Sequence, residues 1–100
     1  RRSWQLHRHI AERLTPDTLT EWRPLIAKNL ERLQHNTHGE PHTGNIANWQ
    51  AIITAADLHA LRRILTGLDR FSIEMREVSP MSGVLTEDQR ATVLAGADNP

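Results

Sequence analysis

The chain has 100 residues, 38% of them hydrophobic, and its 12 Lys plus Arg balance 12 Asp plus Glu, so the formal net charge is zero. That length predicts one domain, residues 1–100, because two halves would each be too small to bury a useful core. The charge balance argues against a general polyanion binder, although it leaves room for a local basic face. There is no cysteine, which excludes disulfide scaffolds, thiolate nucleophiles and Cys-ligated zinc.

The apolar runs are short and no signal peptide is visible, so a soluble, cytoplasmic domain with no membrane span is expected. The chain starts at Arg1 rather than Met, so a trimmed form or a piece of a longer protein is expected. Tyr is absent and Phe71 is the one phenylalanine, while Leu, Ala, Arg and Glu are abundant. This composition favours helix over strand, and no stretch alternates apolar and polar residues for long. The predicted fold is all-α, a compact bundle of about five to six short helices.

The first helix is predicted from Trp4 to Leu14, with Ser3 as N-cap. Leu6, Ile10 and Leu14, with Ala11 beside them, form its apolar stripe. Thr15-Pro16 starts the next segment, since proline at the first helical position loses no intrahelical bond. Leu19, Trp22, Ile26, Leu30 and Leu33 share one face there. Pro24 should kink that helix or, as favoured here, split it, leaving a piece from Pro24 to His35. The stretch from Asn36 to Gly44 holds two Gly, one Pro and two His, and it reads as the most mobile loop.

A helix from Asn45 to Ile53 should follow, with Ile46, Trp49, Ile52 and Ile53 inward. Thr54 and Asp57 have capping-box spacing for a helix through Thr66, with Gly67 as its C-cap. Leu58, Leu61, Ile64 and Leu65 are its inner face. Asp69 caps a short helix through Glu77, and Pro80 and Gly83 mark a turn. Thr86 with Gln89 is a capping box for a last helix ending near Gly96, beyond which residues 97–100 should fray. Trp4, Trp22 and Trp49 are expected as core pillars, because each removes a large apolar area from water.

Several constellations bear on chemistry. His35, His38 and His42 are spaced by three and four residues, as in zinc ligand pairs, and Glu40 is a candidate fourth ligand. Gly39 and Pro41 break any helix between them, so the stronger reading is a solvated polar loop, with no metal and no cofactor. Arg2-x4-His7 has the spacing of the Arg/His pair in helical HEPN-type ribonucleases, where a cation sits beside the phosphate and an imidazole moves the proton. Arg32 and His38 give a looser version. His7 also borders the first apolar stripe, where a packed, hydrogen-bonded histidine is the commoner outcome. His59, beside Leu58, reads as a surface or border position. Arg62, Arg63, Arg70 and Arg76 can form a basic ridge, or a solvated face with ion pairs such as Arg70 with Glu74. A helix-turn-helix around Asp57 to Glu77 would read bases through Arg70, Ser72 and Arg76.

Two segments carry a family resemblance. Arg2 to Leu14 resembles an "RSxxLHxxIAxxL" pattern. Leu61 to Leu85, ending Met75-Arg76-Glu77-Val78-Ser79-Pro80-Met81-Ser82-Gly83-Val84-Leu85, resembles an "LRxxSPFxGxL" ending. The departures are Glu77 at a usually uncharged position and Met81 where Phe is usual. Together, with a Trp-containing helix between them, these patterns resemble small helical bacterial antitoxin modules. Such modules stand alone or behind an XRE-type helix-turn-helix, and are paired with nucleotidyltransferase-like toxins. The resemblance implies neutralisation of a partner toxin by direct helical contacts, with operon autoregulation as a further role. The partner is then a protein; DNA is the less favoured alternative, and no enzymatic activity is expected. Arg2, His7, Arg62, Arg63, Arg76 and the Ser79-Pro80 turn are the candidate contacts. The alternative functions are a HEPN-like ribonuclease toxin, with His7 as the proton carrier, and a small DNA-binding regulator.

Overall fold

The predicted apolar stripe of the first segment becomes the inner face of α1 (Arg2–Arg13), which buries His7 and Ile10. A computed structural model describes residues 2–98, and among them it contains six helices and no strand, as the composition predicts. The helix begins earlier than expected, so Ser3 lies in its first turn and not at an N-cap.

Thr15 caps α2 (Pro16–Asn36) in a reciprocal box with Thr18. The Thr18 amide donates to Thr15 Oγ1 at 3.0 Å and the Thr15 amide donates to Thr18 Oγ1 at 2.8 Å. The expected split at Pro24 does not occur, because α2 runs through it. Pro24 and Thr20, whose carbonyl loses its donor, are both exposed, so water can replace the missing bond. Leu19 before the proline and Ile26 and Leu30 after it are all buried, which holds both halves in one axis.

The loop is shorter than predicted, because α3 (His42–Ala55) starts ahead of Asn45. The Glu40 carboxylate accepts the Gly44 amide at 3.0 Å and so satisfies one donor of the first turn. At the other end, Thr54 is still helical and does not cap the next helix. Ala56 adopts the left-handed conformation (φ 53°), and its amide bonds back to the Ile52 and Ile53 carbonyls. Asp57 alone caps α4 (Leu58–Thr66), accepting the Ala60 amide at 3.1 Å.

Gly67 ends α4 as predicted, but in extended backbone (φ −67°, ψ 147°) rather than the left-handed form. Its requirement for glycine is one of space: a Cβ there would lie 2.5 Å from Ser72 Oγ and 2.6 Å from both the Arg63 carbonyl and Asp69 Oδ1. Asp69 caps α5 (Arg70–Arg76) as expected. The Thr86–Gln89 capping box opens α6 (Glu87–Asp98), with reciprocal bonds of 2.9 and 3.1 Å. This helix continues past Gly96. Of the tail expected to fray, residues 99–100 lie outside the described residues.

One contiguous core joins Ile10, Leu14, Leu19, Ile26, Leu30, Ile46, Trp49, Ile53, Leu61, Ile64, Leu65, Met75, Val78, Met81 and Leu85. Each large side chain among them contributes roughly 1.5–3 kcal/mol by leaving water. Trp49 is a full core pillar, whereas Trp22 is only half-buried against the core and Trp4 is half-buried near the start of α1. The helix α1 packs against α4 and α6, and α3 against α2, α4 and α5. No helix among the described residues is long and apolar enough to cross a membrane.

Helix ends here are closed largely by side chains from other helices. Arg62 of α4 donates to the Leu14 carbonyl beyond α1 at 2.9 Å, and Arg23 of α2 donates to the Ile53 carbonyl of α3 at 3.0 Å. Arg76 of α5 reaches the Ile64 carbonyl of α4 at 2.6 Å, and Trp4 Nε1 reaches the Thr66 carbonyl at 3.0 Å. Trp49 Nε1 donates to the Met75 carbonyl of α5 at 2.8 Å. The Ile53 and Met75 carbonyls also accept the Ala56 and Val78 amides, at 3.1 and 3.2 Å, so there the side chain adds a second donor; a cation beside a helix C-terminus also complements the helix dipole.

Candidate functional site

The segments carrying the two sequence patterns meet at His7. Its Nδ1 lies 2.6 Å from the Ser3 carbonyl, which can only accept, so Nδ1 carries the proton. Nε2 is then the acceptor, and Ser79 Oγ donates to it at 2.7 Å. Ser79 Oγ in turn accepts the Met81 amide at 3.2 Å. Burial lowers the His7 pKa; the Ser3 carbonyl works against that shift, and the positive field of Arg76 adds to it. The imidazole is therefore neutral at pH 7.

This geometry revises several expected contacts. His7 is buried and both ring nitrogens are engaged internally, so it is the packed histidine and not a surface contact. Pro80 is fully buried and belongs to the core, so it cannot present itself to a partner. Ser79 is half-buried and beside a small cavity of about 240 Å³, whose walls include Leu6, Ile10 and Arg90. Sequence reasoning missed Asn29, a buried residue of α2 that holds this turn from the other side. Its Nδ2 donates to the Pro80 and Ser82 carbonyls, each at 2.8 Å, and Arg32 donates to its Oδ1. The only signal was an amide at an otherwise apolar helical position between Ile26 and Leu33.

The arginines fall on neighbouring helices. Arg2 is exposed in the first turn of α1, and Arg62 and Arg63 are exposed on α4. Arg76 is half-buried, and burial lowers its pKa while Asp69 opposes the shift; it stays a cation at any ordinary pH. Arg62 and Arg76 each spend a donor on a backbone carbonyl. A neutral carbonyl does not cancel their charge, and the guanidinium retains further donors.

Beside Arg76 is an open hollow of about 620 Å³, lined also by Ser3, Trp4, Leu68, Ile73 and Glu77. Leu68 is 69% exposed and Ile73 is 44% exposed. Arg8 lies over the Trp4 ring at 4.7 Å, a cation–π arrangement. Neither Leu68 nor Ile73 was singled out from sequence. The available signals were an apolar residue in the linker between Gly67 and Asp69, and one out of phase with buried Ser72 and Met75.

The other constellations are not assembled. Among the described residues no three His, Asp or Glu side chains converge to hold a metal. His35 lies in the last turn of α2, His38 in the loop and His42 at the start of α3. For the Arg2/His7 ribonuclease reading, the imidazole is turned inward onto Ser3 and Ser79. In the looser pair, Arg32 is turned onto Asn29. For base reading, Ser72 is buried and its hydroxyl donates to Asp69 Oδ1 at 2.7 Å, while Arg70 pairs with Glu74 at 3.0 Å. The Ser72 hydroxyl and then its amide hold the Asp69 carboxyl below its ordinary pKa.

No family model matches the chain, and no match is found among curated proteins or solved structures.

Proposed function

We propose that this protein is the antitoxin component of a bacterial toxin–antitoxin pair, which neutralises a nucleotidyltransferase-like toxin by direct helical contact and takes part in controlling its own operon. One observation carries the reading. The two segments that resemble antitoxin modules, 2–14 and 61–85, form one packed unit joined by the His7–Ser79 bond at 2.7 Å. The patterned residues Ile10, Leu14 and Leu85 enter the same core, with Met81 at the position where the pattern has Phe. The residues that carry the resemblance thus depend on one another physically, which supports the reading. The planar guanidinium groups on α1, α4 and α5 suit the carboxylates of an acidic, metal-binding cleft, which they can pair bidentately.

The test is co-expression with the product of the adjacent gene. The neighbour alone should arrest growth, and this chain should relieve the arrest and co-purify with it. Growth arrest caused by this chain alone, relieved by His7→Ala, would instead favour the ribonuclease reading. A harmless neighbour, or one that is not bound, would remove the proposal.

A further inference from the structure

We propose that Ser79 and His7 form a nucleophile–base pair that hydrolyses short-chain carboxylic esters in the hollow lined by Leu6, Ile10 and Leu85. This goes beyond the binding of a protein partner and does not depend on it. The Ser79 hydroxyl donates to His7 Nε2 at 2.7 Å, and the Ser3 carbonyl fixes the opposite nitrogen, Nδ1, at 2.6 Å. Nucleophile, base and orienting group thus stand in series within hydrogen-bond reach, as acyl transfer requires. The orienting acceptor is a carbonyl rather than a carboxylate, but it selects the same tautomer. Ser79 Oγ accepts the Met81 amide, so one of its two lone pairs is left for attack. The imidazole is neutral at pH 7, because burial lowers its pKa, and can therefore take a proton.

The turn supplies an oxyanion donor. Asn29 Nδ2 holds the Pro80 and Ser82 carbonyls on one side of it. The peptides that carry these carbonyls are trans, and a trans peptide points its N–H opposite its C=O. The Met81 and Gly83 amides are therefore directed to the other side, where the Met81 amide does reach Ser79 Oγ at 3.2 Å. No backbone carbonyl among the described residues accepts the Gly83 amide, and Gly83 lines the hollow together with Ser79 and His7. The hollow measures about 240 Å³, less than the roughly 300–1,000 Å³ of sites for drug-sized ligands, so its apolar wall fits a short acyl chain. In the reaction Oγ attacks the acyl carbon and passes its proton to Nε2, while the carbonyl electron pair moves onto the oxygen beside the Gly83 amide. The oxyanion collapses, the bond to the alcohol oxygen breaks, and His7 returns the proton to that oxygen. Water, deprotonated by Nε2, then cleaves the acyl-serine, releasing the acid and restoring the hydroxyl.

The experiment treats the full chain with a small alkyl fluorophosphonate and places the adduct by peptide mass spectrometry, and it follows hydrolysis of p-nitrophenyl acetate and p-nitrophenyl octanoate. One adduct should form, on Ser79 and not on Ser3, Ser72 or Ser82. The acetate should be cleaved at least about a hundredfold faster than by free imidazole at the same concentration, and the octanoate at least about tenfold more slowly than the acetate. Ser79→Ala and His7→Gln, with helical content checked by circular dichroism, should each abolish labelling and lower the rate at least about tenfold. The adduct is mapped on the wild-type chain, so that result stands even where a variant fails to fold. An unlabelled chain, an adduct at another residue, or labelling that survives in folded His7→Gln would overturn the proposal. So would a rate no greater than that of free imidazole, or equal rates on the two esters.

Discussion

Ser79 Oγ donates to His7 Nε2 at 2.7 Å across 72 residues of sequence, which fastens α1 to the turn that precedes α6. Removing the hydroxyl leaves a buried ring nitrogen without a donor. Ser79→Ala should therefore cost about 1–3 kcal/mol, read as a lower urea midpoint at unchanged m-value. Ser79→Thr, which keeps the hydroxyl, should recover part of the loss.

The same imidazole predicts the pH response. The folded-state pKa of His7 is below its unfolded value of 6.5, so the unfolded chain binds more protons between the two values. Stability is then fully present above about pH 6.5 and is lost as pH falls toward the folded value. Urea midpoints should decline from pH 7.5 to pH 5, and His7→Gln should flatten that decline. Asp69, whose pKa is also lowered, adds a separate loss only below its ordinary value of 3.8, in more acidic solution. An unchanged slope in His7→Gln would show that another group carries the effect.

Two glycines should respond with opposite signs. Gly67→Ala places a Cβ 2.6 Å from the Arg63 carbonyl, and also against Ser72 Oγ and Asp69 Oδ1. It should destabilise the protein by about 1–3 kcal/mol through forced backbone movement. Gly96 has open space around it and lies within α6, so Gly96→Ala should stabilise by up to about 1 kcal/mol. Thermal melts of the two variants, run side by side, check both signs.

The tryptophans should separate in the same way. Trp49 is fully buried and its Nε1 donates to the Met75 carbonyl. Trp49→Phe removes the buried indole donor from that carbonyl, which keeps the Val78 amide at 3.2 Å, and should cost about 0.5–1.5 kcal/mol plus the smaller ring's lost packing. Trp4 makes a more exposed bond to Thr66, so Trp4→Phe should cost under about 1 kcal/mol. Chemical denaturation of both variants measures the difference.

Local rules made much of this fold legible. The Thr15, Asp69 and Thr86 caps act through residues three positions away, so sequence spacing reveals them. The aliphatic stripes were legible for the same reason, since helical period alone places Ile10, Ile26 and Leu61 inward. Pro24 misled because the local penalty is outweighed by burial on either side of it. The capping role of Thr54 failed because α3 extends over it to a left-handed Ala56. At the candidate site, the hydrogen-bonded state of His7 was legible from its border position. The grip of Asn29 on residues 80 and 82 was not, because it spans about half the chain. Nor was the burial of Pro80, which tertiary packing decides.

The borrowed closures at the helix ends tie secondary structure to assembly. A peptide corresponding to α1 lacks Arg62, one corresponding to α4 lacks Arg76 and Trp4, and one corresponding to α5 lacks Trp49, so each would end in carbonyls with no side-chain donor. Nucleation of such short segments is already unfavourable. Amide protection in these helices should consequently rise and vanish as a unit, and a cut anywhere between Trp4 and Arg76 would loosen helix termini far from the break.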